Sequence, residues 1–440
     1  MALTGSRTFV GFGFGPIQSG LFLYEAFLSG GFRRLVVAEV LPDVVDVIRR
    51  AQGWYSVNVA HPDRVEIAPV GPVEIENPAV EQDRQHLVAA VAEAAEIATA
   101  VPSVNSYVSP GPGSIHRLLA EGLRKKAAAH AARAVVYAAE NHNDAAEILE
   151  ARVFDEIPPR EHNAVRPRVR FLSTVIGKMS GVVSDPQEVQ VQGLATFTSQ
   201  DQRAFLVEVF NRILISEIRF EEASGESPFR RGITVFEEKP DLLPFEQAKL
   251  YGHNATHAVA AYVGALRGLQ RIADLCQFPD ILRFLHAAFL QESGEALIRK
   301  HAGKDRLFTS EGYRDYADGL LERMTNPYLR DTVERVGRDP RRKLGWDDRL
   351  VGTIRVGLRQ GLVPRRYALG VAAALAVLDQ SFLCGETPAG VLLESVWGNI
   401  SAERQETSLV LGLVEDGRRR LKRWCESGFQ DLEGLFPDEN

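Results

Sequence analysis

The chain has 440 residues, 45% of them hydrophobic and 25% charged, and carries a formal net charge of −7. Its length exceeds one ordinary core and implies two domains, its composition is that of a soluble globular protein, and no apolar run approaches the roughly 20 residues of a membrane span. The negative balance argues against general nucleic-acid affinity, and three scattered cysteines, Cys276, Cys384 and Cys425, suggest neither a disulfide framework nor a cysteine-based zinc site.

The N-terminus, MALTGSRTFVGFGFG, passes from a few polar residues straight into a strand-like run. It lacks the basic stretch, long apolar stretch and small-residue cleavage site of a secretory leader, so a cytoplasmic location is expected. Strand-like runs follow at 8–14, 34–40, 134–140, 188–197, 204–210 and 232–236. Helix-like segments separate the first three, the βαβ pattern of a parallel sheet. Beyond residue 240 the texture changes. The segments 256–275, 280–300 and 368–383 carry apolar residues at helical spacing. The expected fold is an α/β N-terminal domain over 1–240, with extra strands, followed by an all-helical domain over 241–440. The basic run RRRLKRW at 418–424 reads as a solvated helix face.

The first stretch with chemistry is FVGFGFGPIQSGLFLYEAFL. Gly13 and Gly15 close the first strand, Pro16 follows, and Ile17, Leu21, Tyr24 and Leu28 give the next element a helical apolar face. A glycine turn feeding a helix N-terminus suits a pyrophosphate, because the backbone can approach closely and the helix dipole favours negative charge. Gln18 stands where a third glycine is usual, and Gly20 offers close helix–strand packing instead. Glu39, at the end of the second strand, is placed to accept hydrogen bonds from an adenosine ribose. No cation follows it in Val40, Leu41 and Pro42, so NAD(H) is the expected cofactor rather than NADP(H).

The second stretch is KLYGHNATHAVAAYVG, 249–264, where Lys249, His253, Asn254 and His257 crowd into nine positions. On an unbroken α-helix, at about 100° per residue, Lys249 and Asn254 would not share a face. Gly252 offers a break, and Asn254 is a good N-cap for a new helix. The residues alone leave two readings open: a capped helix with an exposed lysine, or a catalytic group. A zinc site at His253 and His257 lacks a third ligand, so no metal is assigned.

This stretch resembles the Lys-x4-Asn-x2-His signature of the polyol-specific long-chain dehydrogenases, the mannitol dehydrogenase family. NPYLRDTVERVGRDPRRKLGWDDRL, 326–350, is similar to the mannitol-1-phosphate 5-dehydrogenase branch. GFGPIQSG, AEV, TAVP and AENHND fall in the expected order along nearly the whole chain. The resemblance implies an α/β Rossmann-type N-terminal domain followed by an all-helical C-terminal domain, and a metal-independent, NAD-dependent enzyme acting on a CH–OH group. It makes Lys249 the general base, with its pKa lowered by burial or nearby cations. Asn254 and Asn141 would donate hydrogen bonds to the reacting oxygen, His257 would hold the substrate oxygen, and Glu246 would relay the proton. Val101 and Pro102 join Gly13, Gly15, Pro16, Ile17, Gln18 and Glu39 at the cofactor, while Arg335, Lys343 and Lys178 face the substrate.

With Gln18, two further departures mark a divergent member. The family's Asp-Arg pair appears as Gly177-Lys178, and Ile213 stands where tryptophan is common. The implied reaction interconverts mannitol 1-phosphate and fructose 6-phosphate. The alternatives are an unphosphorylated polyol or hexuronate substrate and a non-catalytic NAD-binding protein. The expected partner is a small sugar phosphate or polyol, with neither nucleic acid nor membrane. Oligomeric state stays open between monomer and homodimer.

Overall fold

A computed structural model of the chain describes residues 6–221, 228–385, 387–398 and 404–437. The first five residues of the N-terminal run lie outside them. The chain divides into two compact units, Met1–Leu242 and Leu243–Asn440.

The first unit is built on an eight-stranded sheet and a four-stranded sheet. Its strands are β1 (Arg7–Phe12), β2 (Phe32–Ala38), β3 (Tyr55–Ala60), β4 (Val65–Val70), β5 (Glu74–Glu76), β6 (Glu96–Thr99), β7 (Ala134–Ala138), β8 (Val169–Val175), β9 (Ser180–Val183), β10 (Ala204–Glu208), β11 (Leu214–Ser216) and β12 (Glu237–Lys239). Six strands run parallel in the order β5-β2-β1-β6-β7-β8. This is the doubly wound order of the Rossmann fold, whose ligand crevice opens where the strand order reverses, here between β1 and β6. β11 then pairs antiparallel with β8 and parallel with β12. The second sheet has the order β4-β3-β10-β9.

Both faces of the large sheet are covered, which is why its strands read as nearly continuous apolar runs. Neighbouring residues point to opposite faces. Phe9, Val37 and Val135 enter one buried cluster with Phe22 and Tyr137, while Val10, Val36 and Val136 enter the other with Leu87 and Leu118.

Two expected strands are absent from their places. Within 188–197 the alternation of Val and Gln suggests a strand, yet Pro186–Gln192 is a helix capped by Asp185, whose side chain accepts from Gln187 N–H. The Asp-Pro start outweighs the alternation. The 232–236 segment is irregular, with bends at Gly232 and Val235 and no ladder. The carboxylate of Glu96, fully buried at the start of β6, instead accepts from the N–H groups of Gly232 and Ile233 and from Tyr137 Oη. Pairing resumes only at β12.

The second unit is helical. Outside an isolated bridge between Arg271 and Thr332, no strand pairing occurs among its described residues. The 256–275 segment is α-helical to Arg267, where Gly268 turns the chain at φ +80°, and becomes helical again in a 3-10 stretch at Ile272–Gln277. The 280–300 segment is continuously helical, with a π-helical stretch at Ala288–Gly294. The helices Arg365–Leu378 and Arg404–Glu426 cross so closely that a Cβ on Gly417 would lie 2.7 Å from the Ala368 backbone.

The basic run at 418–424 is only partly a solvated face. Arg418 donates to the carbonyls of Gly385 and Thr387, and Arg420 donates to Leu435 and pairs with Asp416. Those arginines tie loops to the helix. Among the described residues no helix is long and apolar enough to cross a membrane.

Candidate active site and cofactor site

The glycine turn follows β1 directly. Gly13 takes φ +84°, and a Cβ there would lie 2.9 Å from the Ala100 carbonyl, so the turn between β1 and the end of β6 admits only glycine. Nothing lies within 4 Å of a Cβ on Gly15, which leaves its backbone open to a ligand. Pro16 and Ile17 begin the helix that continues through a π-helical turn at Gln18–Phe22 into Leu23–Ser29. That turn displaces the apolar face from the expected one. Leu21, Phe22, Leu23, Ala26 and Phe27 are buried, whereas Leu28 is 46% exposed.

Gln18 is fully buried, and a Cβ on Gly11 would meet its amide nitrogen at 2.3 Å. The glycine that lets strand and helix approach is thus on the strand, and the larger residue is on the helix. Gly20 faces β10, where a Cβ would meet Val207 at 2.5 Å.

Glu39 lies just past β2 and is 8% exposed. One of its carboxylate oxygens accepts from Phe14 N–H and the other from Leu41 N–H, both at 2.8 Å. It therefore fixes the glycine turn and leaves a negative charge beside it. Charge-assisted bonds of this kind are the strong ones.

Sequence reasoning passed over Glu140, a buried carboxylate at the end of β7. It accepts from Thr99 Oγ1 at 2.9 Å, from Val101 N–H at 3.0 Å and from Tyr107 Oη. Burial pushes its pKa up against those donors. Glu140 thereby ties the Val101-Pro102 loop to the residue next to it, Asn141, whose side chain is exposed. Lys178 lies between β8 and β9. It is buried, and its ammonium donates to the backbone carbonyls of Glu208 at 2.5 Å and Phe210 at 2.9 Å.

In the second unit the helix Leu243–Gln247 runs without a break through a π-helical stretch, Ala248–Asn254, into Ala255–Arg267. The expected break at Gly252 and cap at Asn254 are not formed: Asn254 has φ −66° and ψ −32°, and its side chain caps nothing. The π-helical stretch resolves the spacing problem differently. With i→i+5 closure, residues five apart lie above one another, so Asn254 falls over Lys249, and His257, three residues on, continues that side.

Gly252 permits this winding. A Cβ there would lie 2.5 Å from the Phe289 ring and 2.7 Å from Tyr313 Oη, and both side chains are fully buried. Gly252→Ala gains helix propensity of about 1 kcal/mol but overpacks two immobile rings, at about 1–3 kcal/mol. Net destabilisation is expected, read as a melting temperature lowered by a few degrees. A variant as stable as the parent would mean that the rings yield.

Lys249 is half-buried, and its pKa is lowered to about 8, first by burial and then by the Arg349 guanidinium, with Glu246 opposing. His257 is lowered to about 3 by burial and by Arg335, Arg323, Arg349 and Lys343, so its ring is neutral at physiological pH. Lys343 is buried, donates to the Arg338 carbonyl, and is lowered to about 8 by burial and Arg349. Lys249, His257, Glu246, Arg335 and Lys343 therefore belong to one electrostatic neighbourhood, and Asn254 lies between Lys249 and His257 along the helix. Arg349 belongs there as well, one of six basic residues within 335–349.

Asp331 was not singled out either. It is 5% exposed, pairs through Oδ1 with Arg335, and presents Oδ2 to His257 Nε2 at 3.6 Å. The rings of His253 and His257 are 6.3 Å apart, and among the described residues no group of three or more potential ligands could hold a metal ion.

Residues 7–226 match the model of the mannitol dehydrogenase Rossmann domain, and residues 241–407 match that of the mannitol dehydrogenase C-terminal domain. A mannitol-1-phosphate 5-dehydrogenase of Bacillus licheniformis is 30% identical over 88% of this chain and 90% of its own. One of Bacillus pumilus is 32% identical over 83% and 86%. Among solved structures, a D-sorbitol dehydrogenase without substrate superposes with a TM-score of 0.74 at 14% identity, covering 99% of this chain and 96% of its own. Pseudomonas fluorescens mannitol 2-dehydrogenase, in complex with NAD and D-mannitol, superposes at 0.67 with 16% identity, covering 99% and 95%. The structural likeness carries the fold, and the family models with the curated relatives carry the kinship. The chain is a divergent member of the mannitol dehydrogenase family, the NAD-dependent polyol dehydrogenases.

Proposed function

We propose that the protein interconverts a sugar-alcohol phosphate and a ketose phosphate, mannitol 1-phosphate and fructose 6-phosphate, with NAD(H) as hydride carrier. The observation that carries the reading is Lys249, half-buried on a π-helical stretch with its pKa lowered to about 8. A lysine so tuned exchanges a proton near neutral pH, as a general base for alcohol oxidation must.

In this reading Lys249 takes the hydroxyl proton, while the C–H electron pair leaves as hydride. NAD, when bound, supplies the hydride acceptor. Asn254 donates a hydrogen bond to the oxygen as negative charge grows on it, which lowers the barrier electrostatically. Glu246 passes the proton onward. In the reverse direction the Lys249 ammonium returns the proton to the carbonyl oxygen. The glycine turn, the helix N-terminus and Glu39 suit the dinucleotide, because Gly15 is open and Gly13 has no room for a side chain.

One observation favours the unphosphorylated alternative. Much of the positive charge expected to bind a phosphate is already engaged: Arg335 with Asp331, Arg342 with Asp339, and Arg349 with Asp348. The phosphorylated branch is preferred because both relatives described above are named for that reaction. A screen of NADH oxidation over fructose 6-phosphate, fructose and hexuronates tests the choice. Oxidation with a hexuronate alone would sink the phosphate reading. A cytoplasmic location accords with a substrate of this kind.

The cofactor preference follows from Glu39. A 2′-phosphate would meet its carboxylate, and Val40 and Leu41 beside it are exposed and uncharged. With a factor of ten for each 1.4 kcal/mol, the expected preference for NADH over NADPH is about 10- to 100-fold in kcat/KM. Equal efficiencies would mean that Glu39 does not face the ribose.

A further inference from the structure

His257 Nε2 and Asp331 Oδ2 face each other across 3.6 Å, both buried, and neither has a hydrogen-bond partner among the described residues. Such groups are costly to leave unpaired, since a buried polar atom without a partner forfeits its hydration. The separation is too long for a good hydrogen bond between them. It is short enough for one oxygen to lie within about 2.8 Å of both atoms, the ordinary length for such bonds.

The surroundings hold both groups in place. Asp331 is anchored by Arg335 at Oδ1 and through its carbonyl, which accepts from Ile272 N–H at 2.9 Å. His257 rides on the rigid helix Ala255–Arg267. Its ring is neutral, so it carries one N–H, and facing a carboxylate the favoured tautomer puts that proton on Nε2. A donor and an acceptor then point at one place. A hydroxyl group, which accepts once and donates once, satisfies both.

We propose that Asp331 is a substrate-contacting residue that sets specificity: Oδ2 accepts a hydrogen bond from one hydroxyl of the bound polyol or ketose, and His257 Nε2 donates to that same hydroxyl. The proposal rests on the dehydrogenase reading given above. The hydroxyl is not the reacting one. A carboxylate beside the oxygen that becomes negative would oppose the reaction, and the carbonyl of the ketose has no proton to give. The contacted hydroxyl is therefore on a neighbouring carbon, present in both substrate and product. Sites built to bond a hydroxyl discriminate strongly against analogues that lack it.

The test combines substrate and enzyme changes. Rates of NADH oxidation are measured for the parent enzyme, Asp331→Ala and Asp331→Asn on fructose 6-phosphate and fructose, and on the 1- and 3-deoxy analogues of whichever ketose the parent reduces. The parent is expected to lose at least tenfold in kcat/KM on one analogue, in line with a charge-assisted bond. Asp331→Ala should show a comparable loss on the complete ketose and almost no further loss on that analogue. NADH binding, read by fluorescence, should be unchanged.

If Asp331→Ala lowers the rate on every ketose by one common factor and keeps the parent's discrimination, Asp331 only anchors Arg335 and the proposal is overturned. Should the alanine variant fail to melt cooperatively, the nearly isosteric asparagine variant carries the same comparison. A parent enzyme indifferent to each missing hydroxyl overturns the proposal without any variant. A parent that reduces no ketose defeats instead the reading on which it rests.

Discussion

Lys249→Ala should lower kcat by about 10²–10⁴-fold, the usual contribution of a general base, while NADH binding stays close to that of the parent. The expectation separates chemistry from binding, because Lys249 belongs to the helical unit and the glycine turn to the Rossmann unit. The pH profile is the sharper test. Polyol oxidation needs the neutral amine, so its rate should rise with pH through about 8, where the lysine loses its proton, and level off above. Ketose reduction needs the ammonium and should fall over the same range. The cation acting on Lys249 is Arg349, whose charge helps to hold its pKa down. Arg349→Ala should therefore move the inflection upward by a measurable amount without abolishing turnover. Near-wild-type activity of Lys249→Ala at neutral pH would falsify the assignment, and a profile unmoved by Arg349→Ala would leave burial as the sole cause of the shift.

The Rossmann half was legible because its determinants are local. A strand, a glycine turn, a helix and a terminal acid follow one another within Phe9 to Glu39, and each is recognisable by residue type. Where local cues conflict the sequence misleads: the Val-Gln alternation suggests a strand although Asp185-Pro186 opens a helix. The Lys-Asn-His group was legible only through family resemblance, since no residue type announces a π-helical turn. Gly252 looked like a break, and it is instead the point where Phe289 and Tyr313 pack against a continuous helix. Asp331, Glu140 and Arg349 were hidden for a related reason. Carboxylates and guanidinium groups in charged stretches usually face solvent, and only tertiary packing reveals which of them are buried beside a site.

Fructose 6-phosphate should be reduced far more efficiently than fructose, and the cations of 335–349 should account for the difference. A phosphate ester must be gripped by charge-assisted hydrogen bonds, and the planar guanidinium suits its oxygens. The ion pairs already present do not forbid this. Arg335 has five N–H donors, and its side chain is 44% exposed while paired with Asp331, so it can serve a carboxylate and a phosphate together. Arg338 and Arg341 have no ion pair to give up among the described residues. Each bond to phosphate contributes about 1.5–3 kcal/mol, so Arg335→Ala should raise KM for the phosphate ester roughly tenfold or more beyond its effect on fructose, which it also touches by releasing Asp331. If Arg335 leaves the preference intact while Arg338→Ala or Arg341→Ala removes it, the phosphate lies further along the segment. Comparable efficiency on both sugars, or a preference that survives all three substitutions, would mean that these cations are held for their carboxylate partners and that the substrate is an unphosphorylated polyol.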